Sequence, residues 1–476
     1  MKRHSLENGA MVHDLPKVSR RHFLATLAVS AAAMAKPAWA LSSRKTVTVL
    51  TNYNDDTFSL FEEAFEKAQS AYRLKIVWMM PPDATKFLRR GDGDSPDVWW
   101  QASPHNHIAD IAGDGLLRPL PEVDSGLPAS LGAMPLVAAD NLTRATQLTA
   151  FSFLVNKQAI AKQQLPWPSD WTVLAQPEYA GKVALTDPVK VRFGTILIDI
   201  VLQSYGWETG WALLSAIAGN AVLLPKGLTD EVTSGRQPVA LHIDIVPNAE
   251  QRFRQPMEHV YPAHGGIINA GYIGFLKHGG NPEGARAFYD FVLSTEGQKL
   301  LPHTDLPRLP VRPTVYAQLG KDQFNPFAAQ TAGQMTYTPS ESAGATAVVS
   351  ALFASLVKDH EQLSHLWARL HAAEIKADPA HSAQIARARH LLEKAPLDVS
   401  TATSEDIKKA FRPPRGQPAA PSAADQPVQT QLQTSTPAGE NNNALSAAAK
   451  AMVVSWEQAY SNNQVQAAKL LDEVGV

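Results

Sequence analysis

The chain has 476 residues, a formal net charge of -2, 45% hydrophobic residues and no cysteine. That length supports two or three domains with substantial cores, and the near-neutral balance argues against a nucleic-acid binder or a polybasic membrane surface. Without cysteine, disulfides, zinc–thiolate sites, iron–sulfur clusters and a thiol nucleophile are excluded.

Ser19-Arg20-Arg21-His22-Phe23-Leu24 opens an Ala-rich, weakly apolar run that ends at Ala38-Trp39-Ala40. The arginine pair, the long segment before it and the small-x-small cleavage site read as a twin-arginine signal peptide over residues 1–40. The run is too short and too poor in large side chains to span a bilayer. The expected address is the periplasm of a bacterium, reached by a chain already folded.

From Lys45 the pattern alternates short β-branched runs with helical periods. Thr46-Val47-Thr48-Val49-Leu50 predicts a strand that stops at the turn-rich Asn52-Tyr53-Asn54-Asp55-Asp56, and Phe58, Phe61, Phe65, Ala68 and Tyr72 share one helical face. Residues 74–79 predict a second strand closed by Pro81-Pro82, residues 86–90 a short helix, and Asp97-Val98-Trp99-Trp100 a third strand. Strand, helix, strand, helix, strand predicts a parallel α/β sheet, with the ligand at its carboxyl edge where the loops after Leu50 and Trp100 meet.

The same grammar continues. Residues 147–156 form an apolar run without helical period and predict a strand crossing between two lobes. A loop around Trp167 and Trp171, a strand at 182–185, a helix at 194–203 capped near Thr195, a helix presenting Trp207, Trp211, Leu214 and Ile217, and a buried strand at 239–243 follow. Residues 266–276 predict the return crossing, and Asn281 caps a helix with Pro282 at its first position. Residues 345–395 are patterned for helix packing. Residues 412–443, rich in Pro, Gln, Ala, Ser and Thr, cannot offset their ordering entropy by burial and predict a disordered linker. The helix expected in 444–476 has too little apolar surface for its own core, so it folds back on the body or docks on a partner. The predicted organisation is lobe 1 at 41–148 and 264–302, lobe 2 at 149–263 and 303–335, a helical extension at 336–411, the linker at 412–443 and the last helix at 444–476.

Three segments carry a family resemblance. Ser95-Pro96-Asp97-Val98-Trp99-Trp100 followed by Gly113-Asp114-Gly115-Leu116-Leu117-Arg118-Pro119-Leu120, then Tyr179-Ala180-Gly181-Lys182-Val183-Ala184, then Asn281-Pro282-Glu283-Gly284-Ala285 continuing to Phe291-Val292-Leu293-Ser294-Thr295-Glu296-Gly297-Gln298, occur in order over residues 45–316. The stretch resembles ABC-transporter periplasmic solute-binding proteins of the ferric-iron-type branch, and more weakly phosphoglycerate-transport regulatory proteins. The resemblance implies an α/β periplasmic-binding-protein type II fold, with two lobes joined by crossing strands that close on a ligand, here followed by a C-terminal α-helical extension. It also implies an ABC permease as partner, no cofactor and no catalytic residues. The weaker resemblance implies a ligand-sensing protein that signals to a membrane sensor kinase.

The iron ligands of that branch are a His in the first loop, a Glu after the third strand and two adjacent tyrosines in the second lobe. This chain has Asn54 and Ala102 at the first two positions and no tyrosine pair around Asp244-Ile245-Val246-Pro247. A hard trivalent cation needs anionic oxygen ligands, so iron is disfavoured. His105-x-His107 is read as a solvated loop and Asp55-Asp56 as a helix start, not as metal sites. The candidate ligand residues are Asn52, Tyr53 and Asn54 in the first loop, Trp100, Gln101 and Ser103 after the third strand, and Thr186, Asp187, Arg192, Thr195 and Asp244 in the second lobe. Arg192 and Thr195 beside a helix N-terminus suit an anion, and Asp244 suits an amine or hydroxyl. The expected solute is a small polar organic anion, phosphorylated or carrying both a carboxylate and an amine. A plainer reading leaves Arg192 in a surface ion pair and Thr195 as an ordinary cap. An exported cofactor enzyme is the remaining alternative, against which stand the lack of a glycine-rich dinucleotide fingerprint, a nucleophile elbow and a credible triad.

Overall fold

The computed structural model describes residues 44–91, 95–102, 111–122, 126–132, 134–186, 193–224, 228–243, 256–266, 268–303, 307–320, 324–328, 343–376, 378–411 and 445–476. The expected signal peptide and linker lie outside the described residues, as do Ser103, Asp187, Arg192 and Asp244. The described chain from Lys45 onward forms one unit.

β1 (Lys45–Thr51) and β2 (Tyr72–Trp78) flank α1 (Asp55–Ala68). Asp55 and Asp56 in the first turn of α1 and Lys67 in its last complement the helix dipole, while Phe58, Phe61 and Phe65 bury one face. α2 (Pro81–Arg90) starts five residues before the expected helix, because Pro81-Pro82 opens it instead of closing the strand. Proline's fixed φ and missing N–H suit a first turn. β3 (Val98–Gln101) follows, and β1 pairs in parallel with both β2 and β3.

β4 (Thr143–Asn156) is longer than its apolar run predicted and is buried along nearly its whole length. After it come β5 (Val183–Thr186), α3 (Phe193–Tyr205), α4 (Trp207–Asn220), β6 (Ala221–Leu224), β7 (Val239–Ile243), β8 (Met257–Val260) and β9 (Ile268–Leu276). α3 begins at Phe193, so Thr195 stands inside its first turn and is not its cap. α5 (Pro282–Leu293) is capped by Asn281, whose Oδ1 accepts from Gly284 N at 2.9 Å, and α6 (Thr295–Leu300) and β10 (Leu309–Pro310) follow.

The sheet order is β2-β1-β3-β9-β4-β7-β5-β6. The first half of β4 pairs antiparallel with β9 and its second half with β7, so this one strand belongs to both sides of the molecule. Two cores result. The first gathers Val47, Leu50, Phe61, Trp100, Ile273 and Phe288; it also contains Leu309 and Val311, so the stretch expected in lobe 2 from residue 303 packs with lobe 1. The cause is pairing: β10 lies against Gln147 and Leu148 of β4.

The second core includes Phe153, Trp171, Ile198 and Trp211 together with the C-terminal extension: α7 (Ala343–Leu356), α8 (His360–Lys376), α9 (Ser382–Glu393) and α10 (Ala447–Val474). Ser215 Oγ donates to Leu392 O at 2.7 Å and receives Trp367 Nε1 at 3.2 Å, and Trp207 Nε1 donates to Leu397 O at 2.9 Å. α10 folds back on this body. Trp456 stacks on Phe411 with 5.5 Å between ring centroids, and Leu471 and Ala467 are fully buried.

Candidate functional site

The family-like motifs turn out to be brackets. Asp97 accepts Thr48 N at 2.8 Å and Asn281 N at 2.6 Å, tying β1 to the start of α5. Tyr179 donates its hydroxyl to Pro166 O at 2.5 Å, and Gly181 takes the left-handed φ of 68° that lets its N–H reach Asn220 O at 2.9 Å. Ser294 caps α6 by accepting Gly297 N at 3.0 Å. A Cβ on Gly297 would stand 2.1 Å from Phe291 O. Gln298, fully buried, donates through Nε2 to Thr146 O at 2.9 Å and Val292 O at 2.8 Å, and accepts Val311 N at 2.7 Å through Oε1. One carboxamide thereby clamps β4, the end of α5 and the segment after β10.

That clamp fixes β4 where it passes the carboxyl ends of β1 and β3, the edge at which parallel sheets bind ligands. Asn52 Oδ1 accepts Ala102 N at 2.8 Å, joining the loops after β1 and β3. Asn54 precedes α1 in its N-cap position but makes no side-chain cap. The Tyr53 ring lies 4.1 Å from the Trp100 ring, centroid to centroid. Trp100 is fully buried, sends Nε1 to Thr146 Oγ1 at 3.0 Å, and packs edge-on against Phe61 and Phe288. Its ring therefore supports the first loop from the core side. Thr146 Oγ1 in turn donates to Gly271 O at 3.3 Å.

Gln101 closes β3 opposite Tyr272 of β9, whose neighbour Gly271 faces Gln147 of β4 across a register shift. A Cβ on Gly271 would stand 2.6 Å from Gln101 O and 2.7 Å from Gln147 Nε2, so only glycine lets the three strands approach this closely. Gln101 and Gln147 are buried. Both amide atoms of Gln101 and the Oε1 of Gln147 have no protein hydrogen-bond partner, while the Tyr53 hydroxyl lies beside Thr146. Gln147 Nε2 reaches Ala102 O at 3.5 Å. Burial pushes the Tyr53 hydroxyl well above the ordinary tyrosine range, with the charge of buried Arg308 acting in the opposite direction, so the phenol is a neutral donor and acceptor at ordinary pH.

Buried polar atoms in a native fold ordinarily find partners. The Gln101 and Gln147 atoms lie at the carboxyl end of β3 and on the strand that joins the lobes, which makes this edge the candidate site. Of the expected site residues, the structure brings Asn52, Tyr53, Trp100 and Gln101 together. Thr186 ends β5 in the second lobe. Sequence reading missed Thr146, Gln147 and Arg308. Gln147 was visible as the polar residue that opens the crossing run, and Arg308 as a cation in the extended Pro307-Arg308-Leu309-Pro310 run. Among the described residues no group of three or more His, Asp or Glu side chains is placed to hold a metal ion, and no described helix is long and apolar enough to cross a membrane.

An α/β sheet with two cores, joined by strands that cross from one to the other and carrying polar groups at the junction, is a type II periplasmic-binding-protein architecture. Residues 129–332 match the model of the family described as bacterial extracellular solute-binding protein. The chain is 29% identical over 269 residues to the phosphoglycerate transport regulatory protein PgtC of Salmonella typhimurium, a match covering 55% of this chain and 64% of that protein's length. Similar solved structures include the Bordetella ferric binding protein (18% identical, TM-score 0.48, 60% of this chain and 95% of that one). Another is the periplasmic binding protein AfuA of Actinobacillus pleuropneumoniae with fructose-6-phosphate bound (17% identical, TM-score 0.42, 61% and 94%).

Proposed function

We propose that the chain captures a small polar organic anion, phosphorylated or otherwise acidic, between its two lobes in the periplasm and delivers it to an ABC permease. The observation that carries this reading is the pair of buried glutamines, Gln101 and Gln147, with unpartnered amide atoms beside the crossing strands, together with the Arg308 cation near enough to act on the Tyr53 hydroxyl. A buried cation favours an anion in its field, and carboxamides supply orientation without competing charge. The relative's printed name, which speaks of phosphoglycerate, supports a phosphorylated acid. Thr186, Asp187, Arg192, Thr195 and Asp244 keep their proposed role as the second-lobe half of the site. The chain works as a binder with no catalytic residue and no cofactor.

The test is native mass spectrometry of the chain purified from the periplasm, followed by calorimetry with 3-phosphoglycerate. Retention or micromolar binding of a phosphorylated or carboxylic acid is the expected result. Tight ferric binding with no organic acid, or a bound redox cofactor, would overturn it. Replacing Arg308 with Gln should weaken an anionic ligand at least tenfold.

A second reading, a ligand sensor that reports occupancy to a membrane kinase, is favoured by one observation. The extension α7–α10 shares the second lobe's core, so it is carried wherever that lobe moves. The relative's description as a transport regulatory protein points the same way. Ligand uptake unaffected, but transport-gene induction lost, in variants of the outer face of α10 would favour this role over simple delivery.

A further inference from the structure

We propose that the first lobe carries a second oxyanion site, away from the cleft, in which Arg118 and Arg144 hold a phosphate-type anion; the inference does not depend on what the cleft binds. Strand register outlines it. Arg144 of β4 stands opposite Ile273 of β9, and Arg118, on the short Leu117–Arg118 strand, stands opposite Phe275. Over Tyr272–Phe275 the other side of β9 is taken by β3, so β4 and the short strand follow each other along one side of β9. Directly opposed residues share a face, and residues two apart on a strand are about 7 Å from each other. Both arginine side chains therefore leave the same face of the sheet in neighbouring rows.

The side-chain contacts agree. Arg118 Cζ lies over the Phe275 ring, 4.6 Å from its centroid, and the Tyr289 ring of α5 packs on Phe275 with 5.4 Å between centroids. The fully buried Tyr289 places its hydroxyl beside Arg144. Burial pushes that hydroxyl up to about 12 against the opposing charges of Arg144 and Arg286, so it stays a neutral phenol that orients the guanidinium without cancelling its charge. Phe275 and Tyr289 thus form a floor under two guanidinium groups.

The charges on this floor lack a counterion. Arg118 and Arg144 are half-buried, and among the described residues neither is paired with a carboxylate. Of the acids in the adjoining segments, Asp290 accepts Arg286 Nε at 2.6 Å, Asp140 accepts Leu142 N at 3.0 Å, and Glu122 meets Arg286 through its carbonyl at 3.4 Å. Two like charges that have each lost part of their water repel, and an anion between them removes that cost. A carboxylate presents two oxygens in one plane and matches one guanidinium fork. A tetrahedral oxyanion can face two forks at once, so phosphate or sulfate is the class that fits. The floor lies at Val98, the first residue of β3, whereas the cleft edge is at Gln101, its last; an anion there leaves the cleft free.

The test is calorimetry of the full chain with inorganic phosphate, with chloride at equal ionic strength as control, in an Arg308→Gln background that weakens any anion held in the cleft. Saturable phosphate binding should persist in that background. Adding Arg118→Gln or Arg144→Gln should weaken it by about tenfold or more. Arg118→Lys keeps the charge, loses the fork, and should still weaken it severalfold. Thermal melts without phosphate identify any variant that fails to fold, and Arg118→Lys is the mildest. No phosphate effect beyond that of chloride overturns the site. So does phosphate binding that Arg308→Gln alone abolishes, which would leave the cleft as the anion receptor, and so does an affinity untouched by folded variants at both arginines. Binding of a poly-aspartate peptide without binding of phosphate also overturns it, and makes this floor a contact for an acidic protein segment.

Discussion

Replacing Gln298 with Met tests whether one carboxamide holds the strand shared by both lobes. Met keeps the volume and removes every side-chain hydrogen bond, so packing is nearly conserved while Thr146 O, Val292 O and Val311 N lose their partner inside a fully buried site. Each unmet buried group costs about 1–3 kcal/mol, and with partial relaxation the sum is on the order of 3–6 kcal/mol. Gln298→Glu should be as harmful, since it keeps an acceptor for Val311 N but turns a carboxylate oxygen toward two carbonyls. The measurement is urea unfolding by circular dichroism, with amide hydrogen exchange read at Val311, whose N–H goes to Gln298 Oε1. Exchange there should accelerate before global unfolding does. A loss under about 1 kcal/mol, or unchanged protection at Val311, would refute the bracket and with it the claim that the clamp fixes β4.

Three further outcomes follow from the second lobe. Gly219→Ala places a Cβ 2.3–2.7 Å from the Trp367 side chain, which is itself fully buried, and should detach α8 from α4, with a melting-temperature drop of several degrees and exposed tryptophan fluorescence. Trp456→Ala removes the ring stacked on Phe411 and should cost about 3–5 kcal/mol in denaturant unfolding. Glu374 is held down at about 2 against an ordinary 4.5: burial works against its charge, but His371 and the Arg389 guanidinium, which donates to it at 2.6 and 2.7 Å, outweigh that cost. Its stabilising contribution is therefore complete above about pH 4.5 and lost as the pH falls toward about 2, so Glu374→Gln should flatten the acid limb of a stability–pH curve over that window.

The parallel sheet of the first lobe was legible because its signals are local. β-branched runs alternate with a helix whose phenylalanines repeat on one face, and Asn281-Pro282 announces a helix by cap chemistry alone. The reading erred where a residue's meaning depends on a distant partner. Pro81-Pro82 looks like a stop and is a start, since proline fits a first turn as well as a strand end. Residues after 303 looked like a return to the second lobe, but β10 pairs with Gln147 and Leu148, a contact that no local pattern encodes. The loops after β1 and β3 followed from topology, so Asn52, Tyr53 and Gln101 stand at the sheet's carboxyl edge, where they were expected. Gln147 and Arg308 were not, because a polar residue in a buried strand acquires its role only from the strands on either side.

The placement of α10 changes how the extension can be studied. The sequence left two uses for it, folding back or docking on a partner, and deletion of the tail would have separated them had it been an appendage. Instead Lys358 pairs with Glu457, Arg369 donates to Val476 O at 2.9 and 2.7 Å, and Trp456, Tyr460 and Leu471 are buried against the second lobe's outer layer. Tyr460 is buried deeply enough that its hydroxyl is pushed far above the ordinary range. Removing the helix would strip that layer and destabilise the lobe, so a loss of uptake or of induction after truncation reports unfolding, not signalling. Only substitutions on the exposed side of α10, such as Val454, which is 63% exposed, leave the core intact. Val454→Glu should therefore fold and bind ligand like the wild type. Lost induction with normal uptake in that variant would make the helix a contact surface, whereas unchanged induction across the exposed face would make it a lid on the second core and nothing more.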